Sequence, residues 1–462
     1  MNATMVECVP ELIRRFDRPG PRYTSYPTAD RFVDAFGADA YRAAIARRNT
    51  GGVQRPLSLY VHLPFCRDVC FYCACNRIVT RDGARAVRYL DYLAREIELQ
   101  GALFSDDPRV GEMHWGGGTP TYYDVAALQA LWNTLAARFQ FAADGEYSIE
   151  VDPRSVETDS IAALRAIGFN RVSFGVQDFD PDVQRAVNRR QSEERTLEVI
   201  EAARRAGFSS INVDLMYGLP RQTLASFKRT LERVIAIRPD RIALYNYAHL
   251  PHLFKPQRGI AATDLPTPEA KLELFALAVE LLGAAGYEYI GMDHFALPGD
   301  ALAVAQRQGR LRRGFQGYTA SADRDLVGLG LSAISSVGAS YSQNCRALDD
   351  YYLRLDRGEL PVMRGLELKP DDLLRRAVIQ DLMCHFTVSK KAISVTYLID
   401  FDGYFAPELE QLRELEKFGL VTLEPGWVSV TSTGRFLVRR ICMVFDRYLA
   451  GAPDDGRYSR VI

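Results

Sequence analysis

The chain has 462 residues, of which 47% are apolar and 25% charged, with 57 basic side chains against 58 acidic ones. This length can hold about two or three domains, and the near-neutral charge argues against a nucleic acid or an anionic membrane as partner. No stretch approaches the roughly 18 consecutive apolar residues of a membrane span, and the N-terminus does not resemble a secretion signal. The sequence therefore predicts a cytoplasmic protein, and without an obvious coiled coil it favours a monomer.

The first 56 residues are predicted to form an N-terminal arm. The segment Gly20-Pro-Arg-Tyr-Thr-Ser-Tyr-Pro27 is too rich in turn-forming residues for a regular element. We expect this arm to be ordered and to cover a site.

Short apolar runs alternate with helical patterns from about residue 57 to 295, which is typical of βαβ units. The predicted strands are Leu57–His62, Glu112–Trp115, Tyr147–Val151, Arg171–Gly175, Ile211–Met216, Arg241–Tyr247 and Tyr287–Met292. The predicted helices are Ala86–Leu103, Val125–Arg138, Ser192–Ala206, Leu224–Ile237 and Pro268–Ala285. The predicted fold class is α/β, a partial parallel (β/α) barrel that occupies residues 57–364 together with its extension.

Unusual residues follow nearly every predicted strand. They are a cysteine loop, Gly116-Gly-Gly-Thr-Pro120, Glu150 with Asp152, Gln177-Asp178, Asp214, and Asn246-Tyr-Ala-His249. Strand termination explains any single one of these loops nearly as well, but parallel barrels build their active sites at this end. The glycines are predicted to let backbone groups approach a ligand.

The cysteine loop is the most specific signal in the chain. Cys66, Cys70 and Cys73 have C-x3-C-x2-C spacing, and Cys75 follows two residues later. Thiolates ligate iron–sulfur clusters, and three of them on one loop leave one iron open to a small molecule. A structural zinc site is the alternative, although zinc sites usually separate two cysteine pairs by a dozen or more residues. The remaining cysteines are scattered, as expected of reduced thiols: Cys8, Cys345, Cys384 and Cys442.

The pattern changes from about residue 365. The predicted elements are a helix over Pro370–His385, a helix over Pro407–Phe418, a hairpin over Val421–Val430 and a final helix over Ser432–Leu449. This order predicts a mostly α, winged-helix-like domain over residues 365–462. Because no basic patch accompanies it, we expect a structural or substrate-covering role instead of DNA binding.

The cysteine loop resembles that of the radical S-adenosylmethionine (SAM) enzymes, whose C-x3-C-x-aromatic-C loop follows the first barrel strand. Here the matching residues are Cys66, Cys70, Tyr72 and Cys73. Within that superfamily, the whole chain resembles the oxygen-independent coproporphyrinogen III oxidase (dehydrogenase) family. The matching stretches are Pro21–Pro27, Leu57–Cys66, Cys73–Asn76, His114–Thr121, Gly175–Phe179, Asn246–Pro251, Gly291–Phe295 and Ser459–Ile462.

The resemblance implies an oxidoreductase of haem (porphyrin) biosynthesis. The implied reaction converts two propionates of coproporphyrinogen III to vinyl groups, giving protoporphyrinogen IX, through a 5′-deoxyadenosyl radical. An electron donor and an acceptor are also implied, and the sequence identifies neither. The alternative is a radical SAM-like haem chaperone. Such relatives typically lack the arm motif at residues 22–27 and the Cys75-Asn76 pair, and this chain has both.

The resemblance also implies the cofactor ligands. Cys66, Cys70 and Cys73 would hold a 4Fe-4S cluster, with Cys75 close by. The residues around the cluster-bound SAM would be Tyr60, Tyr72, Glu150, Ala248 and Ile334. Those around a second SAM would be Gly117, Gly118, Thr119, Gln177, Arg189 and Asp214. Some members of the family have phenylalanine in place of Tyr72, and both side chains present an aromatic face. No catalytic side chain is assigned, because the radical arises at the cluster and SAM.

A substrate with four carboxylates needs fixed cations. Arginine suits this role because it can form two parallel hydrogen bonds to a carboxylate. The candidates are Arg22 in the arm and the group Arg307, Arg310, Arg312 and Arg313. A solvated surface run explains that group equally well. His62 is predicted to be a packed or supporting residue, not a catalytic one.

Overall fold

The computed structural model describes residues 9–51, 55–104, 108–321, 324–449 and 458–460. Cys8 and the last two residues of the Ser459–Ile462 motif lie outside these ranges. The α-helices are Pro10–Phe16, Ala38–Thr50, Gly83–Gly101, Val125–Ala136, Thr158–Ile167, Pro181–Ala186, Glu193–Arg205, Leu224–Ile237, Pro268–Ala284, Ala301–Arg307, Leu348–Asp356, Pro370–His385, Lys390–Tyr397, Phe401–Tyr404, Ala406–Glu416 and Val438–Cys442. None of the helices in the described ranges is both long and apolar enough to cross a bilayer.

The main sheet has twelve strands, numbered here in chain order. They are β1 (Leu57–Leu63), β2 (Arg109–Gly117), β3 (Gln140–Val151), β4 (Arg171–Gln177), β5 (Ser210–Tyr217), β6 (Arg241–Asn246), β7 (Glu288–Gly291), β8 (His294–Ala296), β9 (Asp325–Leu329), β10 (Ile334–Val337), β11 (Ser340–Asn344) and β12 (Val362–Glu367). Their order across the sheet is β12-β11-β10-β9-β1-β2-β3-β4-β5-β6-β8-β7. β9 and β1 to β6 are parallel, and the strands beyond them are antiparallel. The strands at the two edges of the sheet, β12 and β7, are not paired with each other, so the sheet is an open, partial barrel. The predicted α/β class is confirmed.

The two faces of the parallel strands differ in polarity because successive side chains point to opposite sides of a strand. On β4, Val172 and Phe174 are buried, whereas Ser173 alternates with them. On β5, Asn212 and Asp214 alternate in the same way with apolar residues. Ser173, Asn212 and Asp214 line a cavity of about 700 Å³ inside the partial barrel. The apolar residues belong to the main hydrophobic core, so the core holds the sheet while the inner face remains available for ligands.

One predicted strand pairs differently from the expectation. Tyr287–Met292 was predicted as a further member of the parallel series, but β7 pairs with β8 in an antiparallel hairpin, and β8 pairs antiparallel with β6. The chain reverses at Gly291 and Met292, whose φ angles are 142° and 52°. This reversal ends the parallel series at β6.

The N-terminal segment contains more regular structure than a plain arm. The helices Pro10–Phe16 and Ala38–Thr50 flank residues 20–27, which contain neither helix nor strand. Thr24 and Ser25 line the barrel cavity. The arm therefore contributes residues to the inside of the barrel.

The C-terminal region contains the two predicted helices, as Pro370–His385 and Ala406–Glu416, and the predicted hairpin. Between the two helices lie the strand Thr387–Ser389 and the helices Lys390–Tyr397 and Phe401–Tyr404, which were not predicted. The strands Thr387–Ser389, Val421–Leu423 and Trp427–Val430 form a separate antiparallel sheet. The predicted final helix over 432–449 is wrong, because only Val438–Cys442 is α-helical, between two short 3-10 turns. The buried Arg439 in this short helix donates to the carbonyl oxygens of Gly20 and Pro21 in the arm.

Glu96 is a fully buried carboxylate that ties the helix Gly83–Gly101 to the extension. It accepts hydrogen bonds from the Gly330 N–H (2.7 Å), Asn344 Nδ2 (2.7 Å) and the Tyr351 hydroxyl (2.6 Å). These three donors come from different elements of the extension. Glu96 therefore fastens β9, β11 and the helix Leu348–Asp356 to the barrel.

Glu96→Ala is expected to lower the free energy of unfolding by at least about 3 kcal/mol, because three buried donors lose their acceptor at about 1 kcal/mol or more each. Urea unfolding of the purified protein measures this change. Glu98→Ala is the matched control on the same helix, where the carboxylate pairs with Arg138 at the surface, and its effect should stay within about 0.5 kcal/mol. Equal losses in the two variants would contradict a bracing role for Glu96.

Candidate active site

The cysteine loop is closed by backbone hydrogen bonds at both ends. The short strand Phe65–Cys66 pairs with Ile78–Val79, and the Thr80 N–H donates to the Cys66 carbonyl oxygen at 3.0 Å. Within the loop, the Cys73 N–H donates to the Cys70 carbonyl oxygen at 3.2 Å. The three cysteines therefore sit on one fixed loop directly after β1.

Each of the three thiols has a polar neighbour. Cys66 Sγ lies 3.4 Å from Thr119 Oγ1, and Arg189 Nη1 lies 3.7 Å from Cys70 Sγ. A hydrogen bond with Cys75 lowers the pKa of Cys73 to about 6. Burial raises the pKa of Cys66 to about 11.

The three thiols of the loop match the ligand set of a 4Fe-4S cluster. Within the described ranges, no three His, Cys, Asp or Glu side chains converge as the ligands of one metal ion do. A 4Fe-4S cluster does not require such convergence, because each thiolate binds a different iron. Cys75 is exposed and hydrogen-bonded to Cys73, which is consistent with a neighbour that is not a ligand.

The glycine loop after β2 serves packing against β1. A Cβ on Gly117 would lie 2.5 Å from the His62 ring, and one on Gly118 would lie 2.5 Å from the Pro64 carbonyl carbon. The φ angle of Gly117, 113°, also favours glycine. The glycines were predicted to let backbone groups approach a ligand. They also allow the glycine loop to pack against the start of the cysteine loop, so the predicted reason is incomplete. Thr119 then contacts Cys66.

Glu150 ends β3 beside the glycine loop. Its carboxylate lies 3.1 Å from His114 Nε2 and accepts from the Gly117 N–H at 3.3 Å. Burial acts to raise the pKa of Glu150, but the hydrogen bond and charge of His114 and the Gly117 N–H bring it below its usual value. Glu150 is therefore a carboxylate at neutral pH, suited to accept hydrogen bonds from an ammonium group or a ribose.

Tyr60 and His62 lie next to this carboxylate on β1. His62 Nε2 donates to the Asn76 carbonyl oxygen at 2.9 Å, so Nδ1 is free to accept from the Tyr60 hydroxyl at 3.0 Å. The Tyr60 ring stacks on the His114 ring with centroids 6.0 Å apart. Burial lowers the pKa of His62, which keeps it neutral. His62 thus supports the loop and Tyr60, as predicted.

Arg189 joins the cysteine loop to the ends of β3 and β4. It pairs with Asp152 at 3.1 Å and donates to the Gly175 carbonyl oxygen at 2.6 Å. Burial opposes ionisation of Asp152, but Arg189 and Arg154 lower its pKa to about 2. Gln177, with a φ of 69°, ends β4. This cluster places a fixed positive charge beside Cys70.

Asp214 lies on β5 and lines the cavity together with Glu150. It accepts from Asn212 Nδ2 at 2.7 Å and from the Ser173 hydroxyl at 3.2 Å. Burial and the charge of Glu150 raise the pKa of Asp214 to about 7. A nearby cation would shift Asp214 towards its ionised form.

The remaining predicted site residues flank the cysteine loop. Gln257 bridges Tyr72 and Ala248, because its Nε2 donates to both backbone carbonyl oxygens, at 3.2 and 3.1 Å. Ile334 begins β10, and its backbone closely approaches Gly328, the register partner of Tyr60 on β9. The sequence did not single out Gln257, and a glutamine far from any motif carries no signal for this role.

The predicted arginine group divides into two pairs. Arg307 pairs with Glu288 at 2.7 Å, and the exposed Arg310 bonds to Gln308 at 2.9 Å, so both occupy the surface. Arg312 and Arg313 line the barrel cavity instead. In the arm, Arg22 forms an ion pair with Asp293. The surface interpretation therefore holds for half of the group.

Comparisons with known proteins agree with this arrangement. A family model described as the Radical SAM superfamily matches residues 60–234, and one described as the HemN C-terminal domain matches residues 368–437. The oxygen-independent coproporphyrinogen III oxidase of Pseudomonas aeruginosa is 50% identical over 455 residues, with 98% of each chain covered. The chain belongs to the oxygen-independent coproporphyrinogen III oxidase family.

Two further relatives support this membership. The oxygen-independent coproporphyrinogen III oxidase of Escherichia coli K12 is 49% identical over 451 residues, with 98% of each chain covered. The solved structure described as coproporphyrinogen III oxidase (HemN) from Escherichia coli, a radical SAM enzyme, superposes with a TM-score of 0.92 at 48% identity, covering 96% of this chain and 100% of that chain. The predicted family and fold are confirmed, and membership of the radical SAM superfamily implies a 4Fe-4S cluster and SAM as cofactors.

Proposed function

We propose that this protein is the enzyme that converts coproporphyrinogen III to protoporphyrinogen IX without oxygen, turning two propionates into vinyl groups. The observation that carries this proposal is the three-cysteine loop beside a polar cavity of about 700 Å³ inside the barrel. A cluster needs the loop, and a tetrapyrrole with four carboxylates needs a large polar cavity. The proposal also follows the names of the relatives.

We assign Cys66, Cys70 and Cys73 as the cluster ligands. When bound, a 4Fe-4S cluster and SAM supply a 5′-deoxyadenosyl radical that can remove a hydrogen atom from a propionate side chain. The residues assigned to the SAM on the open iron are Tyr60, Tyr72, Glu150, Ala248 and Ile334. Those assigned to a second SAM are Gly117, Gly118, Thr119, Gln177, Arg189 and Asp214. The contacts of Thr119 with Cys66 and of Arg189 with Cys70, and that of Glu150 with Gly117, support these assignments.

The chain's own residues orient the reactants. Glu150, held by His114 and Gly117, presents a carboxylate to an ammonium group or a ribose. The arm residues Thr24 and Ser25 form part of the cavity lining. Each propionate loses one hydrogen atom, one electron and carbon dioxide to give a vinyl group, so the reaction also needs an electron donor and an acceptor. We propose that the protein acts as a monomer.

An anaerobic assay tests this function. The reconstituted protein, given SAM, a low-potential reductant, an electron acceptor and coproporphyrinogen III, is expected to form protoporphyrinogen IX, with two molecules of carbon dioxide per product. Chromatography of the oxidised porphyrins measures the product. An absence of product, together with tight stoichiometric binding of haem, would favour a haem chaperone instead.

A further inference from the structure

Several buried nitrogen atoms around the barrel cavity lack hydrogen-bond partners among the described residues. These atoms are Arg241 Nη2, His294 Nδ1, Arg313 Nη1, Gln316 Nε2 and Arg324 Nη1. All five residues line the same cavity. Buried polar atoms are nearly always paired in native structures, and an unpaired one costs free energy. A group of unpaired nitrogens, most of them obligate donors, indicates a ligand that accepts hydrogen bonds.

Arg313 is a member of this group whose charge no ion pair of the described residues compensates. It is 5% exposed, and it forms no ion pair with a carboxylate of the described residues. Its Nε donates to the Arg22 carbonyl oxygen at 3.2 Å, and its guanidinium lies 4.7 Å from the centroid of the Tyr318 ring. By contrast, Arg241 on β6 already pairs with Asp300 at 2.8 Å. A buried guanidinium without a counter-ion is costly unless an anion binds it.

The environment of Arg313 favours an anion over a cation. The neighbouring His294 has its pKa lowered to about 3 by burial and by the charges of Arg313, Arg22 and Arg241, so it is a neutral ring that can donate. The one carboxylate paired with Arg22 is Asp293. Gln316 adds an amide donor on the turn after the strand Arg312–Gly314.

Carboxylates also line the cavity, and one of them, Asp381, lies beside Gln380, which hydrogen-bonds to the Arg313 backbone. Glu150 lies on β3 and Asp214 on β5. Burial and their charges raise the pKa of Tyr245 on β6, whereas the charges of Arg22 and Arg313 act to lower it. An anionic group would be repelled by Glu150 and Asp214 and attracted by Arg313.

We propose that Arg313, with His294 and Gln316, binds a propionate carboxylate of coproporphyrinogen III that is retained in the product. This inference rests on the function proposed above. Loss of carbon dioxide removes the negative charge of a propionate, so an ion pair with Arg313 stabilises the carboxylate and disfavours its loss. Arg313 thus fixes the orientation of the tetrapyrrole and determines which carboxylates remain out of reach of the reaction.

The first test measures Michaelis constants. Arg313→Gln is expected to raise KM for coproporphyrinogen III by roughly 10- to 100-fold, the effect of losing a charge-assisted hydrogen bond. The yield of 5′-deoxyadenosine in the absence of substrate is measured alongside KM, so that a loss of substrate binding is distinguished from a loss of SAM cleavage. Arg307→Gln is the matched control on the same segment, and it should leave KM unchanged.

The second test separates ligand binding from a structural role. Coproporphyrin III and its neutral tetraamide are compared as competitive inhibitors. Arg313→Gln should weaken inhibition by the tetracarboxylate roughly 10-fold or more, but change that by the tetraamide less than twofold. If Arg313→Gln does not load iron, Gln316→Leu takes its place in the same comparison.

The outcomes distinguish the two proposals. Equal weakening of both inhibitors, or an unchanged KM in a fully loaded variant, overturns the carboxylate subsite while the wild-type activity stands. A wild-type protein that yields no protoporphyrinogen IX overturns the proposed function itself.

Discussion

Cys73→Ser is expected to abolish reductive cleavage of SAM. A serine hydroxyl is a much poorer iron ligand than a thiolate, and a hydrogen bond with Cys75 lowers the pKa of Cys73 to about 6, which favours its thiolate. We expect anaerobically reconstituted Cys73→Ser to form no detectable 5′-deoxyadenosine in the presence of a low-potential reductant. Chromatography of the nucleoside products and the iron and sulfide content measure the effect.

Cys75→Ser is the matched control, because it changes the same side chain two residues away. Cys75 is exposed, so its replacement should retain about the wild-type amount of iron and the optical spectrum of the cluster. The hydrogen bond between Cys73 and Cys75 predicts one secondary effect, a change in the reduction potential of the bound cluster. Equal loss of iron from Cys73→Ser and Cys75→Ser would contradict the assignment of three ligands.

Arg189→Met is expected to lower the free energy of unfolding of the apo-protein by about 3 kcal/mol, the lower end of the effect of breaking a buried ion pair. The side chains of Arg189 and Asp152 are only 8% and 11% exposed. The substitution also leaves the Gly175 carbonyl oxygen without its donor. Arg154 still pairs with Asp152, which limits the loss. Urea unfolding at pH 7 measures it.

The penalty of Arg189→Met should depend on pH in a defined direction. The pKa of Asp152 in the folded protein is about 2, below the value of about 3.9 for an unfolded chain. The ion pair therefore contributes fully above about pH 4, and its contribution is lost as the pH falls towards 2. The difference between wild type and variant should be smaller at pH 3 than at pH 7.

Arg185→Met provides the control for this comparison. Arg185 lies on the preceding short helix and pairs with Asp182 at the surface, where its side chain is half exposed. Surface ion pairs contribute about 0 to 1 kcal/mol. An equally large loss in Arg185→Met, or a penalty of Arg189→Met that grows at low pH, would contradict the role given to the buried pair.

The sequence predicted the parallel part of the sheet well because its strands are apolar on alternate positions and its helices are amphipathic. The helices Leu224–Ile237 and Pro370–His385 have the predicted ends. The strands β9 to β12 were not predicted, since buried residues there are often polar. In β11, Ser340, Ser342 and Gln343 are buried, and their burial depends on partners that only the folded chain provides.

The candidate site was likewise predictable only in part. The spacing of Cys66, Cys70 and Cys73 is local, so the sequence alone indicates a cluster. Residues whose role depends on a neighbour from a distant segment leave no such pattern. Arg313 and Arg307 look alike in the sequence, but one lines the cavity and the other pairs with Glu288 at the surface.

The bonds of Arg439 link the two ends of the chain, because this residue near the C-terminus donates to the carbonyl oxygens of Gly20 and Pro21 in the arm. Pro19 also bridges to Arg460. During synthesis at about 5 to 20 residues per second, the arm must wait roughly 20 to 80 s for these partners. The barrel and its cysteine loop are complete well before that. We therefore expect the cysteine loop of the nascent chain to fold before the arm reaches its final position. A cluster can then be inserted before the arm is fixed by Arg439.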